Sequence, residues 1–153
     1  MTPDARRILI VCGVASAALA LFHIGCIVVG APAYRYFNAG EDIALMAEAG
    51  SPTPALVTLG IAALLSTFAA YAFSGAGIIG RLPSLKIGLL AVGGIYTLRG
   101  LFLVPWLVVA VTSPQDLDPK EIVFASVALA IGVAYMAGGL MVRKQVWADS
   151  LPT

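Results

Sequence analysis

Arg99 stands in the stretch Ile95-Tyr96-Thr97-Leu98-Arg99-Gly100, inside a run from Ile87 to Thr112 that otherwise reads as membrane. A guanidinium cannot shed its charge, so in lipid it must find an anion, a cage of hydrogen-bond acceptors or water. His23, the single histidine, sits in another apolar run and is the side chain best suited to acid/base work near neutral pH. At 1.5 Å per residue, His23 lies about 22 Å and Arg99 about 21 Å from the cytoplasmic ends of their runs, which puts both at one depth. Tyr96 lies one turn from Arg99 and offers a hydroxyl, and Trp106, two turns away on the other side, offers an aromatic face to the guanidinium.

No Asp or Glu lies within any of the apolar runs. The anion for Arg99 must therefore come from Glu41, Glu48 or Glu121 beside the run ends, from a ligand, or from a lipid phosphate. The chemistry expected of this set is binding. Arg99, His23, Tyr96, Trp106 and Glu41 would line an outward-facing polar pocket for a small amphiphilic or anionic ligand or a lipid headgroup, in a transporter or an accessory subunit. One alternative is a small intramembrane enzyme with His23 as acid/base and Arg99 as the clamp on substrate. Another is a structural partner in a homo- or hetero-oligomer, using small-residue faces such as Gly132 to Gly139. A purely structural Arg99 would snorkel to headgroups or donate to backbone carbonyls freed by Pro105.

Several chemistries fall away. One histidine cannot supply two axial ligands to a haem, and no cluster of His, Cys and carboxylate has metal spacing, so no metal or other cofactor is expected. Cys12 and Cys26 on one helix would be about 21 Å apart and cannot pair. There is no mid-span carboxylate of the kind proton pumps and ion channels carry, no phosphate-binding loop and no extended basic surface for nucleic acid.

The elements that must position these residues are membrane spans. The chain has 153 residues, 60% hydrophobic and 11% charged, with a mean hydropathy of +0.97, whereas soluble domains carry about 25% charged residues. We expect an all-α, four-transmembrane-helix bundle forming one domain, with spans at 8–30, 54–80, 85–111 and 121–142, surrounded by membrane lipids. Ala18-Leu19-Ala20 has the look of a cleavage site, yet apolar sequence continues well past it, so 8–30 is read as an uncleaved span.

Between the first two spans, Tyr34, Tyr36 and Phe37 suit a headgroup-level belt. The stretch from Gly40 to Ala49 reads as a short amphipathic helix with Ile43, Met46 and Ala47 on one side, closed by Gly50. Thr53-Pro54 opens the second span, Pro105 bends the third by removing the donor for the Leu101 carbonyl, and Asp118-Pro119 caps the fourth. Ala70-Tyr71 faintly echoes Ala134-Tyr135. Arg6, Arg7, Arg81, Lys86, Arg143 and Lys144 fall on one side, against Arg35 and Lys120 on the other. The positive-inside rule then places both termini in the cytoplasm and the loops 31–53 and 112–120 outside.

In this layout, with its polar first loop and a third span carrying charge, the chain resembles the small four-span bacterial inner-membrane proteins of the DoxX-like group. The resemblance covers the hydropathy plan of the whole chain and no specific motif. It implies a multi-pass protein of the bacterial inner, or cytoplasmic, membrane. The acidic residue that group often carries in its second span is absent here, so no residue role is carried over.

Overall fold

A computed structural model describes residues 2–113 and 118–148, without the side chains of 143–148. The regular secondary structure of the described residues is all helical, with no strand. Seven helices follow in order: α1 (Pro3–Val29), α2 (Ala31–Tyr36), α3 (Glu41–Glu48), α4 (Thr53–Gly75), α5 (Leu85–Gly100), α6 (Leu103–Thr112) and α7 (Pro119–Ala148). Four stretches are long and apolar enough to cross a membrane: Pro3–Val29, Thr53–Gly75, Leu85–Thr112 and Pro119–Val142. This is the layout of a multi-pass membrane protein, compatible with a membrane helical bundle. Their large exposed side chains, Leu21, Val28, Leu56, Ile87 and Val133 among them, suit lipid rather than water.

The helix ends have local causes. Gly77 takes a positive φ of 71°, and the Ile78 amide reaches back to the Phe73 carbonyl at 2.9 Å, with Gly77 bonding Ser74. This is a glycine-terminated helix end. It stops α4 at Gly75, five residues before the end expected from hydropathy. The Ser74 hydroxyl then ties down the following turn, donating to Gly80 and accepting from the Leu82 amide. Pro105 splits the third span into α5 and α6 through Leu101 and Phe102. The Leu101 carbonyl finds a tighter donor in the Val104 amide at 3.0 Å, so the acceptor that the proline would strand is satisfied. Asp118 caps α7, its Oδ1 accepting from the Lys120 amide at 3.0 Å. Residues 114–117 of the acidic loop, and the side chains of Arg143 and Lys144 counted for topology, lie outside the described residues.

The chain clusters into two compact units. One comprises Met1–Gly13 and Ala70–Thr153, and its spine is the seam between α5 and α7. Gly93 and Gly100 of α5 and Gly132 of α7 let the backbones approach: a Cβ added at Gly100 would lie 2.6 Å from Leu129 Cα, and one at Gly132 2.6 Å from the Thr97 nitrogen. Small residues at such contacts are the usual route to close packing in membranes. Tyr135 is fully buried here, stacked on Tyr96 at 5.7 Å between centroids, with its hydroxyl donating to the Cys12 carbonyl at 3.4 Å.

The other unit is Val14–Ala69. Its core gathers Cys26, Ala31, Ala33, Tyr34 and Ala44, with Ile43 and Ala47 packed against them. On α3 the inward face is thus Ile43, Ala44 and Ala47, while Met46, expected on that side, is exposed. Gly50, with a φ of 74°, closes α3 as its sequence predicts, the Ser51 amide bonding the Met46 carbonyl at 2.9 Å.

Candidate functional site

Within the Val14–Ala69 unit, an apolar groove of about 400 Å3 runs along the end of α1 and the length of α2. From α1 it is lined by Phe22, Gly25, Cys26 and Val29, which recur at the i, i+3, i+4, i+7 spacing of one helix face. Tyr36 and Phe37 close the other side. Gly30, with a φ of 76° that an L side chain resists, and Pro32 at the second position of α2 turn the chain back so that these aromatics meet α1. Phe22 meets Phe37 edge to face at 4.7 Å, and Phe37 meets Tyr36 at 4.9 Å. A Cβ placed on Gly25 would touch nothing within 4 Å. The groove therefore has open space on its α1 wall.

His23 stands beside this groove, its ring 5.6 Å from that of Phe22. Nδ1 lies 2.8 Å from the Leu19 carbonyl. A carbonyl only accepts, so Nδ1 carries a proton and, in the neutral ring, Nε2 is left as the acceptor. Together with Cys12, Ser16 and Cys26, which are buried, His23 belongs to the small, weakly polar stripe of α1.

Next to Tyr36, Arg35 holds two carboxylates at once. Its Nε and Nη2 donate to Glu41 and its Nη1 and Nη2 to Glu48, with closest approaches of 2.7 and 2.5 Å. This clasp fastens α2 to both ends of α3. The Arg35 hydrogen bonds hold the Glu41 and Glu48 carboxyls below their ordinary range, and the two glutamates in turn raise the guanidinium. Glu41 is thus engaged within its own unit. Behind α2, the Thr58 and Tyr34 hydroxyls lie 3.3 Å apart.

Arg99, Tyr96 and Trp106 belong to the other unit, so the five residues singled out from the sequence are divided two and three between the units. The Arg99 guanidinium stands 3.5 Å from Glu121 in the first turn of α7; the arginine side chain is 46% exposed and the glutamate 15%. The ring beside it is Phe102, 5.8 Å from the guanidinium carbon. Tyr96 is buried against Tyr135, and Trp106 is half-buried on α6. One polar atom of this seam, the Thr97 hydroxyl oxygen, is buried with no hydrogen-bond partner among the described residues.

The sequence marks Glu121 as a nearby acid but points to neither Phe102 nor the groove. The signal for the groove was the helical spacing of Phe22, Gly25, Cys26 and Val29, followed after a proline by Tyr36 and Phe37. Comparison with known proteins finds no matching family model, no matching curated protein and no matching solved structure.

Proposed function

We propose that this is a multi-pass protein of the bacterial inner membrane that binds a small amphiphile, seating its apolar part in the groove of the Val14–Ala69 unit. The observation that carries the reading is the groove itself: apolar, aromatic-rimmed and about 400 Å3 in volume. Small-molecule sites commonly have this volume and this predominantly apolar, aromatic lining. His23 would offer Nε2 as an acceptor to a donor on the ligand. The orientation consistent with this role has both termini in the cytoplasm and α2 and α3 on the outer face, in keeping with the Lys and Arg distribution.

Leucine at position 25 provides the test, because its Cβ meets nothing within 4 Å, the rest of the side chain would occupy the groove that Gly25 lines, and it improves local helix propensity. The Gly25→Leu protein is expected to keep its thermal stability in lipid nanodiscs and to bind decyl maltoside, a neutral single-chain amphiphile, at least tenfold more weakly. Unchanged binding would remove the groove from the account.

A second reading attaches to Arg99. Its exposure and long contact to one carboxylate favour a headgroup phosphate as an additional partner. An Arg99→Leu protein that stays folded and still retains anionic phospholipid on purification would sink that reading.

A further inference from the structure

One of the two helices that build the groove cannot hold its own shape. α2 is six residues long, shorter than the roughly 12–15 residues below which isolated helices are marginal. Positive φ values at Gly30 before it and at Asn38 and Gly40 after it bend the chain at both ends. Its placement against α1 must therefore come from tertiary contacts. We infer that Arg35 is a positioning residue for the groove: by gripping both ends of α3 it fixes the wall formed by Pro32, Ala33, Tyr36 and Phe37, without touching the occupant. This rests on the amphiphile reading above and adds the contact that preorganises that site.

Arg35 is not among the residues that line the groove. At about 100° per residue it points roughly 130° from the mean direction of the four wall residues of α2. Its partners are Glu41 and Glu48, the first and last residues of α3. Nε and Nη2 donate to one, Nη1 and Nη2 to the other, so the planar fork is engaged on both edges and its orientation is set. The apolar face of α3 carries that orientation to the groove. Ala44, fully buried, shares one core with Cys26 and Ala33, and Phe37, Ile43 and Ala47 pack against it. Cys26, Ala33 and Phe37 of this core also line the groove. The groove wall is thus the reverse side of the α2–α3 core.

Hydrophobic contact is non-directional, and alanine methyls hold α2 against α3 without fixing its angle. The two-pronged ionic contact supplies the angle. Exposed ion pairs add little to stability, so the signature of this role is weaker binding in a protein that stays folded. A wall free to shift must be ordered when a ligand arrives, and that lowers affinity.

The test titrates decyl maltoside into the full-length protein in nanodiscs, with empty nanodiscs subtracted. This amphiphile is uncharged, so a change in its binding does not report attraction between Arg35 and a charged headgroup. Arg35→Gln is expected to weaken binding at least threefold with the thermal midpoint unchanged. Removing the partners instead, by Glu41→Gln and Glu48→Gln together, is expected to weaken it equally, and adding Arg35→Gln to that pair should weaken it no further. Should Arg35→Gln lower the midpoint, Glu48→Gln alone decides, because Arg35 then keeps Glu41; at least twofold weaker binding at an unchanged midpoint is expected. Smaller losses than these, additive losses in the combined variant, or a midpoint that falls in both single variants overturn the positioning role and leave the groove reading standing. If the parent protein binds no decyl maltoside saturably, the groove reading itself fails, and this inference fails with it.

Discussion

Gly100 and Gly25 are both helical glycines on apolar spans, and they stand at opposite extremes of packing. A Cβ on Gly100 would strike the Leu129 backbone at 2.6 Å, whereas one on Gly25 would meet nothing within 4 Å. The first glycine belongs to a seam in which α5 and α7 touch almost backbone to backbone. The second belongs to the wall of an open groove. The two arginines follow the same division. Arg35 is saturated by two carboxylates in the unit that holds the groove, and Arg99 keeps one carboxylate at 3.5 Å beside the seam. One unit is held by close packing, and the other leaves unfilled space on an apolar helix face.

The sharpest way to break this contrast is to add the same side chain to both glycines. Gly100→Leu is expected to destabilise the protein by about 3 kcal/mol or to prevent folding, read as the thermal midpoint in detergent, because rigid backbone cannot make room for it. Gly25→Leu should leave that midpoint in place. Similar losses at the two positions would show that the groove is not open space.

A smaller effect of opposite sign is expected inside the seam. Thr97 buries a hydroxyl oxygen without a partner among the described residues, and valine has nearly the same shape without the polar atom. Thr97→Val should therefore raise stability by about 1 kcal/mol, measured by the same melt. A loss of stability would mean that the hydroxyl is satisfied in the folded protein.

How much of this was legible beforehand follows from the range of each signal. The four spans, the Asp118 cap, the Gly50 stop and the break caused by Pro105 are written within a few consecutive residues, and the sequence predicts them. The end of α4 at Gly75 depends on Gly77 adopting a positive φ among three glycines and could not be chosen from composition alone. Helical projection supplies the depth and direction of Arg99 but not the identity of the helix it faces, so Glu121 remained one acid among several. The groove depends on α2 folding back beside α1 after Gly30. Tyr36 and Phe37 were readable as interfacial aromatics, while their meeting with Phe22 is tertiary.

The faintest expected effect is on pH. The carboxyls of Glu41 and Glu48 are held below their ordinary value of 4.5 by Arg35. Their contribution to docking α3 is present above that value and lost as pH falls through the depressed values beneath it. Because the clasp is exposed, the effect is local and small. Hydrogen exchange in residues 31–50, corrected for intrinsic rates, should rise on acidification below 4.5, with the α5 and α7 amides unaffected. Exchange that rises equally in both units would contradict a local clasp.

The central claim, that the groove is a binding site and not a stretch of lipid-facing surface, is tested most directly by tryptophan quenching. Trp106 and Trp147 are replaced by phenylalanine, and a reporter is placed either by Phe22→Trp in the groove or by Leu21→Trp at nearly the same depth on an exposed face. A bromine-labelled decyl maltoside should quench the groove reporter saturably, at concentrations that leave the neighbouring reporter bright. Quenching of both in equal, unsaturable proportion would be simple partition into lipid, and would contradict the claim.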